Sequence, residues 1–380
     1  MRILYITSGI PVPGTLGGST HAREVAHGLA RRGHTVHLVA SRHEGWGGLA
    51  PFVRPVSQRF DGFYLHHQDI PKSVALLGAG IILRLARASR PDVIMERYYN
   101  FAGGGVWAAQ RLGIPALLEV NALMIDPPEV FKRRLDDALG GPMQRWAVQQ
   151  CHQASKIVTP LHTTVPPQVP RSKIVELPWG ANVEHFLPPA PVDPPLVVFL
   201  GSFRNWHGVL DVVRVGSMLL AEGRRVRFRL IGDGPQRAEA QQLAAVWGSA
   251  FDFTGAIPYE QVPAALSVAS VGVAPFTTAP HPALRAAGFF WSPLKVYEYM
   301  AASLPVVTTD IYPLHTIIRE GQEGALFAEG DINALAAALR RVLDDRIAAR
   351  HMGMRARARV VEQYSWQRHC YELENIMQHV

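Results

Sequence analysis

Short runs of consecutive apolar residues recur along the chain, and segments with helical apolar spacing separate them. Strands built from such runs are typical of parallel sheets that helices cover on both faces. The pattern therefore predicts an α/β fold with two doubly wound, Rossmann-like domains. The predicted strands of the first half are residues 2–8, 34–40, 91–98, 114–120, 156–159 and 173–177. Those of the second half are residues 196–200, 227–231, 251–254, 271–275 and 306–309.

Amphipathic spacing, with glycine and proline stops, predicts the helices between these strands. The first helix starts near Gly17 and Gly18, with Ser19 or Thr20 as its N-cap. The other helices of the first half are 73–90, 103–112 and one long helix within 126–154, whereas residues 42–70 are turn-rich with a strand-like 62–66. Those of the second half begin at 209 and then cover 236–247, 262–269, 314–320, 331–344 and 365–379.

A proline-rich stretch at residues 188–195 is the clearest domain boundary, because consecutive prolines form a stiff linker. It predicts an N-terminal domain at 1–187 and a C-terminal domain at 196–363. Residues 364–380 form a closing helical segment.

Composition indicates a folded protein with a sizeable core, since 48% of the residues are apolar and 18% are charged. Cys151 and Cys370 are too few for a disulfide framework, which favours a reducing compartment. The N-terminus lacks a signal-peptide pattern, and no apolar run reaches the length of a membrane span. We therefore expect a cytoplasmic protein, with peripheral contact to the inner face of the membrane as a second option.

The excess of positive charge is confined to the N-terminal half of the chain. Residues 1–190 contain 20 Lys and Arg against 13 Asp and Glu, whereas residues 191–380 contain 18 of each. This bias favours an acidic or membrane-borne partner, although a generally arginine-rich composition would also explain it. The same choice applies to the helix at 73–90, which either packs on the sheet or touches a membrane surface.

A helix start after Pro293 combines three features that suit a nucleotide. The residues from Ser292 to Lys295 lead into a short helix, and the first N–H groups of a helix attract phosphate. Lys295 adds a positive charge, and Glu298 can accept two hydrogen bonds from a vicinal diol. We predict a nucleoside diphosphate site with Glu298 on the ribose. The alternative is a surface helix with a solvated Glu298 and an exposed Lys295.

A second strand–loop–helix site opens the C-terminal domain, in the sequence G-S-F-R-N-W-H-G. Gly201 and Ser202 begin the loop, and Arg204 and His207 follow. The imidazole can assist a leaving phosphate as a cation or as a neutral N–H donor. The alternative is that Trp206 and His207 only pack the helix entrance.

Polar residues also follow strands of the first domain, where ligands bind in open parallel sheets. Gly17 and Gly18 allow close approach of the backbone to a ligand. Asn121 can donate or accept a hydrogen bond but cannot serve as a base near neutral pH. A buried ion-pair set at the strand ends would explain three further residues: Glu96, Arg97 and Glu119.

Together these passages resemble family 4 glycosyltransferases of the GT-B fold, in the subgroup with S-P-L-K-x-x-E and W-H-G motifs. The resemblance extends from Met1 to about Trp366. It implies two Rossmann-like domains that face each other across a cleft, with the donor held by the C-terminal domain. It also implies that the closing helix crosses back to the N-terminal domain.

The resemblance implies roles for single residues. Glu298 matches the family's ribose-binding glutamate, whereas Phe290 replaces the glutamate that contacts the transferred sugar. Asn121 lies near the position of a sugar-contacting histidine, and the loop at Gly17 and Gly18 faces the donor phosphate. The remaining donor-binding positions are Gly201, Ser202, Gly232, Ile257 (where the base lies on the backbone), Ser292, Leu294 and Lys295.

The sequence is therefore interpreted as a glycosyltransferase (EC 2.4) that uses a UDP-sugar or GDP-sugar and, by resemblance, retains anomeric configuration. No D-x-D motif occurs, so we expect neither a metal nor a cofactor. Charge on the leaving nucleotide would be stabilised by Arg204, His207 and Lys295. The acceptor is unidentified, and we expect it to be acidic or membrane-associated. No nucleic acid is expected as a partner, and the oligomeric state is open.

Two other classes stay open. A nucleotide-sugar epimerase or phosphorylase could share the fold. A catalytically weak sugar-nucleotide-binding homologue is the other option, because Phe290 and Asn121 depart from the family pattern. A dinucleotide oxidoreductase is disfavoured, since G-x-G-x-x-G is absent from both domain starts.

Overall fold

The computed structural model describes residues 1–14, 17–43, 56–186 and 189–380. The turn-rich prediction for 42–70 and the linker boundary at 187/188 lie partly outside these residues. The chain forms two compact units. The first unit contains Met1–Trp179, Phe290–Ser292 and Trp366–Val380, and the second contains Gly180–Phe289 and Pro293–Ser365.

An eight-stranded sheet forms the centre of the first unit, in the order β3-β4-β2-β1-β5-β6-β7-β8. Only β3 is antiparallel to its neighbour, β4. The central strands are buried along most of their length, as consecutive apolar residues require. The strands are β1 Arg2–Pro11, β2 Thr35–Ser41, β3 Val56–Phe60, β4 Phe63–His67, β5 Val93–Arg97, β6 Ala116–Glu119, β7 Lys156–Thr159 and β8 Ile174–Glu176.

Helices cover this sheet, and three sequence predictions about them are wrong. The described α-helices of the unit up to Trp179 are α1 Gly17–Arg31, α2 Ala79–Ser89, α3 Gly104–Leu112, α4 Phe131–Ala138 and α5 Pro142–Gln153. The long helix expected within 126–154 is two helices, because Gly140 and Gly141 adopt positive φ angles of 80° and 76°. Asp136 accepts hydrogen bonds from the N–H groups of Met143 and Gln144 and caps the start of α5.

The helix expected at 73–90 is also interrupted. Residues Lys72–Gly78 form a 3-10 helix in which Val74 has non-helical angles, and α2 begins only at Ala79. The start of α1 at Gly17 places Ser19 and Thr20 inside the first turn, so neither is the N-cap that the sequence suggested. The side chains of α2 that are buried are Ile81, Ile82 and Ala86.

A six-stranded parallel sheet forms the centre of the second unit, in the order β11-β10-β9-β12-β13-β14. The strands are β9 Leu196–Leu200, β10 Arg227–Ile231, β11 Phe251–Gly255, β12 Val271–Ala274, β13 Val306–Thr309 and β14 Gly324–Phe327. The helices are α6 Val209–Ala221, α7 Arg237–Ala244, α8 Val262–Ser267, α9 Pro282–Ala287, α10 Leu294–Ala301, α11 Leu314–Ile317, α12 Ile332–Asp344 and α13 Arg346–Gln363. The sequence prediction missed β14, α9 and α13.

The last helix, α14 Trp366–Gln378, packs on α1 in the first unit. Gly28 permits this contact, since a Cβ there would lie 2.5 Å from Sγ of Cys370. His369 Nδ1 lies 2.8 Å from the carbonyl oxygen of Pro178. Among the described helices, none combines the length and the apolar composition needed to cross a bilayer.

Candidate active site

The carboxyl ends of three neighbouring strands meet closely in the second unit. The N–H of Gly201, after β9, donates to Ile231, and the N–H of Gly232, after β10, donates to Gly255 at the end of β11. A Cβ on Gly232 would lie 1.9 Å from the Gly201 carbonyl oxygen. Glycine is therefore required at 232, and the two backbones form a narrow floor at this edge of the sheet.

The ammonium group of Lys295 lies directly above this floor. Its Nζ is 4.1 Å from the ring centre of Phe199 and 4.9 Å from that of Phe276, which are cation–π distances. A Cβ on Gly201 would approach Nζ to 2.8 Å, so the glycine leaves room for the lysine. Burial lowers the pKa of Lys295 to about 7, although the nearby Glu298 carboxylate opposes this shift.

His207 faces the same ammonium group. Its Nδ1 lies 3.5 Å from Lys295 Nζ and 3.4 Å from Ser202 Oγ. Burial and the positive charges of Lys295 and Arg204 hold the pKa of His207 far below its ordinary value. When Lys295 is charged, its ammonium group can only donate, so Nδ1 then accepts and the ring proton lies on Nε2. Of the two forms considered from the sequence, the environment favours the neutral N–H donor over the cation.

Glu298 lies one turn into α10 and is 4% exposed. Within the described part of the chain its carboxylate receives no hydrogen bond. Burial raises the pKa of Glu298 to about 8, and the charge of Lys295 partly opposes the rise. All residues from Lys295 to Ala301 are buried, so the surface-helix alternative for this segment is wrong.

The remaining donor-side positions lie around this centre. Leu294 is the first residue of α10, and Ile257 follows Gly255 at the end of β11. Arg204 is exposed, with its guanidinium 5.3 Å from the ring centre of Trp206. Trp206 also contacts His281, the residue before α9, edge-on with 4.7 Å between ring centres.

Sequence reasoning missed three residues that shape this centre. Phe199 and Phe276 hold Lys295, and Glu329 braces the loop that follows β12 by accepting hydrogen bonds from Thr277 and Thr278. Phe199 follows the pattern of a buried strand, so its contact with a charged group gave no separate signal. Nothing in the local sequence marks Glu329.

The first unit contains a separate group of candidate residues. Trp179 donates from its ring Nε1 to Asn121 Oδ1 at 3.0 Å and from its backbone N–H to Ser292 Oγ at 2.9 Å. Asn121 Nδ2 is buried and has no hydrogen-bond partner among the described residues. Gly17 and Gly18 form the first turn of α1.

The charged strand ends of this unit do not form the single ion-pair set considered from the sequence. Glu96 accepts the N–H groups of Gly103 and Val106 at the start of α3. Glu119 instead contacts His21 Nε2 at 2.9 Å and accepts the Tyr5 hydroxyl at 2.8 Å.

The negative charge of Glu119 is buried but balanced by its neighbours. Burial alone would raise the pKa of Glu119, but His21, Arg97 and the Tyr5 hydroxyl outweigh burial and hold it well below its ordinary value. Burial lowers the pKa of His21, whose Nε2 lies 2.9 Å from Glu119 Oε1. The network links α1 to the middle of β1 and to the end of β6.

Comparisons with known proteins agree with this architecture. A family described as "Glycosyl transferase 4-like domain" matches residues 17–180, and one described as "Glycosyl transferases group 1" matches residues 194–345. The 2-deoxystreptamine glucosyltransferase of Streptomyces kanamyceticus is 26% identical over an alignment that covers 63% of this chain and 64% of that enzyme.

Solved structures show the same fold at lower identity. Sucrose-phosphate synthase from Thermosynechococcus elongatus has a TM-score of 0.72 at 19% identity, covering 100% of this chain and 98% of its own. The Anabaena protein HepE, solved in complex with UDP and glucose, has a TM-score of 0.69 at 16% identity, with 100% of both chains covered. The two family matches, which together cover residues 17–180 and 194–345, identify the chain as a family 4-like glycosyltransferase, and the solved structures show the GT-B fold.

Proposed function

We propose that the chain transfers a hexose or related sugar from a nucleoside-diphosphate sugar and that its second unit binds the donor. The observation that carries this proposal is the buried pair on α10: a lysine at the helix start and, one turn later, a carboxylate that no described residue satisfies. A carboxylate without protein donors can accept two hydrogen bonds from a vicinal diol, and a ribose supplies such a diol. Glu298 therefore binds the ribose.

The diphosphate would lie at the start of α10. Lys295, the neutral Nε2–H of His207 and the first N–H groups of the helix all offer donors or positive potential there. The glycine floor of Gly201 and Gly232 allows close approach, and Ser202, Arg204, Ile257 and Leu294 complete the donor side. These groups stabilise the negative charge that develops on the leaving nucleotide.

On the first unit, Asn121 has an unused amide donor, which suits a sugar hydroxyl, and Ser292, Gly17 and Gly18 are the other proposed ligand contacts of that unit. Retention, independence from metals and the absence of a cofactor belong to the proposal, and no residue is named as a base. HepE supports UDP as the first nucleotide to test, with GDP as the second.

The comparisons name transferases and synthases and give no support to the epimerase alternative. The weak-binding alternative predicts donor binding without turnover. The proposed acceptor remains acidic or membrane-associated, and the proposed location is the cytoplasm.

A donor screen tests the proposal. Nucleotide release is measured from UDP-sugars and GDP-sugars with excess EDTA present, and the anomeric configuration of any transferred sugar is read by NMR. We expect slow hydrolysis of one donor class, undiminished by EDTA, and a retained configuration with acceptor. Binding without any release would favour the weak homologue, and loss of release in EDTA would contradict metal independence.

A further inference from the structure

Two histidines are in direct contact near the outer edge of the first unit's sheet. Nδ1 of His37, on β2, lies 2.9 Å from Nε2 of His66, on β4. Nδ1 of His66 lies 2.7 Å from Oγ of Ser57, which is its partner across the antiparallel pairing of β3 with β4. One chain of hydrogen bonds therefore connects three neighbouring strands, from β2 through β4 to β3.

The strand at the end of this chain has few other attachments. Among the described strands, β3 pairs only with β4 and lies at the edge of the sheet. Four of its five side chains are exposed, so β3 is held mainly by its hydrogen bonds to β4. A local opening of such an edge strand costs less free energy than unfolding of the sheet.

The hydrogen-bond chain can hold only a limited number of protons. With both rings neutral, the contact between His37 and His66 has one donor and one acceptor. One added proton on His66 keeps both of its hydrogen bonds but places a charge on a side chain that is only 5% exposed. A second proton leaves two N–H donors and no acceptor at the 2.9 Å contact. The closed arrangement therefore binds fewer protons than two histidines in water.

The neighbours of the pair also disfavour positive charge. Burial, together with the nearby His37 and His67, lowers the pKa of His66 to about 4, and burial lowers the pKa of His37. Tyr64 stacks on His37 with 4.8 Å between ring centres, and the Arg59 guanidinium lies 5.0 Å from the centre of the tyrosine ring. No carboxylate in the described part of the chain pairs with either histidine.

The other elements near the hairpin of β3 and β4 do not favour its release in acid. Helix α2 shares an apolar cluster with β2, and its charged residues are Arg84 and Arg87, both exposed. At the hairpin turn, Asp61 pairs with Arg23 and lies 3.3 Å from Nδ1 of His27, both on α1. A positive charge on His27 would strengthen that contact. Of these contacts, only the histidine pair favours release as the pH falls.

We propose that the pair of His37 and His66 is a proton-sensitive latch, which holds β3 on the sheet at neutral pH and releases it in mildly acidic solution. Detachment of β3 removes Ser57 from His66 and lets the ring turn to water. Both rings can then take a proton at their ordinary pKa of 6.5, so opening is coupled to proton uptake. The closed state therefore loses stability as the pH falls below 6.5. The latch requires neither a sugar donor nor an acceptor.

Hydrogen–deuterium exchange of the full chain, read by mass spectrometry at pH 7.5 and pH 5.0, tests the latch. Exchange rates are corrected for the intrinsic effect of pH, and β9 serves as the reference segment. We expect the protection of Val56–Phe60 to fall about tenfold or more at pH 5.0 relative to the reference, since at least one proton is taken up on opening.

The variant His66→Gln keeps a hydrogen-bonding side chain that does not titrate, and its β3 should be protected equally at both pH values. His37→Asn should reduce the response, which keeps the test decisive if His66→Gln folds poorly. The matched control is His27→Gln at the turn of the same hairpin, which should keep the full response. An unchanged protection of β3 in the wild type, an equal fall in β9, or a full response in both latch variants overturns the proposal.

Discussion

Glu298 is buried beside Lys295 without a hydrogen-bond donor of its own, and this arrangement has a measurable consequence for stability. Its folded pKa of about 8 lies above its ordinary value of 4.5. A carboxyl group with a raised folded pKa contributes stability that is present below the ordinary value and is lost as the pH rises through the folded value. The ligand-free protein therefore loses stability at Glu298 between about pH 4.5 and pH 8.

The variant Glu298→Gln removes that loss. We expect the unfolding temperature of the variant, minus that of the wild type, to increase steadily as the pH rises from 5 to 8. Thermal unfolding of both proteins in matched buffers measures the difference. A difference that stays constant or falls with pH would show that the native carboxylate is already satisfied.

Nucleotide binding should have its own pH dependence. A diphosphate favours charged Lys295, which is lost as the pH rises through about 7, and a diol favours ionised Glu298, which is lost as the pH falls through about 8. We expect the affinity for UDP or GDP to be greatest between these values. In Glu298→Gln the loss of affinity on the acidic side of this maximum should disappear, whereas the loss on the alkaline side should remain. Calorimetry across the neutral range checks this, and a variant that keeps both losses would contradict the assignment.

The turn at Gly201 leaves the space that the Lys295 side chain occupies. The substitution Gly201→Ala places a Cβ 2.8 Å from Lys295 Nζ at a φ of 141°. We expect a stability loss of roughly 1–3 kcal/mol from the backbone and, in addition, at least tenfold weaker nucleotide binding from the displaced lysine.

The control is Gly330→Ala, whose φ is 77° and whose Cβ would meet no described atom within 4 Å. It should lose stability but keep nucleotide affinity. Chemical denaturation and calorimetry on both variants separate the two effects. Equal affinity losses would mean that the Gly201 contact with Lys295 is unimportant.

Elements buried on both faces were the easiest to predict from sequence. The strand Leu196–Leu200 has the predicted bounds because its five apolar residues favour the interior of a parallel sheet. The bounds of Arg227–Ile231 were also predicted, and there Phe228, Leu230 and Ile231 are buried. Helix α13 was missed because its buried side consists mainly of small residues, such as Ala349, Gly353 and Ala356, which give no amphipathic signal. The break between α4 and α5 depends on two glycines whose positive φ angles spacing alone does not reveal.

The candidate site was predicted as far as it depends on spacing. Lys295 and Glu298 stand one turn apart on any helix, so their proximity followed from the sequence. Their burial did not, because it depends on Phe199 and Phe276 from other segments. The protonation of His207 likewise depends on neighbours that only the fold brings together.

Over the whole chain, the two units differ in character. The first has the excess positive charge and the Asn121 group, and the second has the buried lysine and glutamate of the proposed donor site. The short stretch Phe290–Ser292 belongs to the first unit although its sequence neighbours belong to the second. The local sequence pattern could not predict that Phe290–Ser292 belongs to the first unit, because this depends on contacts such as the one between Ser292 and Trp179.

The most direct test of the donor assignment is calorimetric titration of UDP and GDP into the wild type and Glu298→Gln at pH 7.5. Glu239→Gln, an exposed position on α7, is the matched control. We predict that one nucleotide binds the wild type and the control equally. Loss of the charge-assisted pair to the ribose should cost about 1.5–3 kcal/mol, which is roughly 10-fold to 150-fold in affinity. Equal affinity of Glu298→Gln and the wild type would contradict the assignment of Glu298 to the ribose.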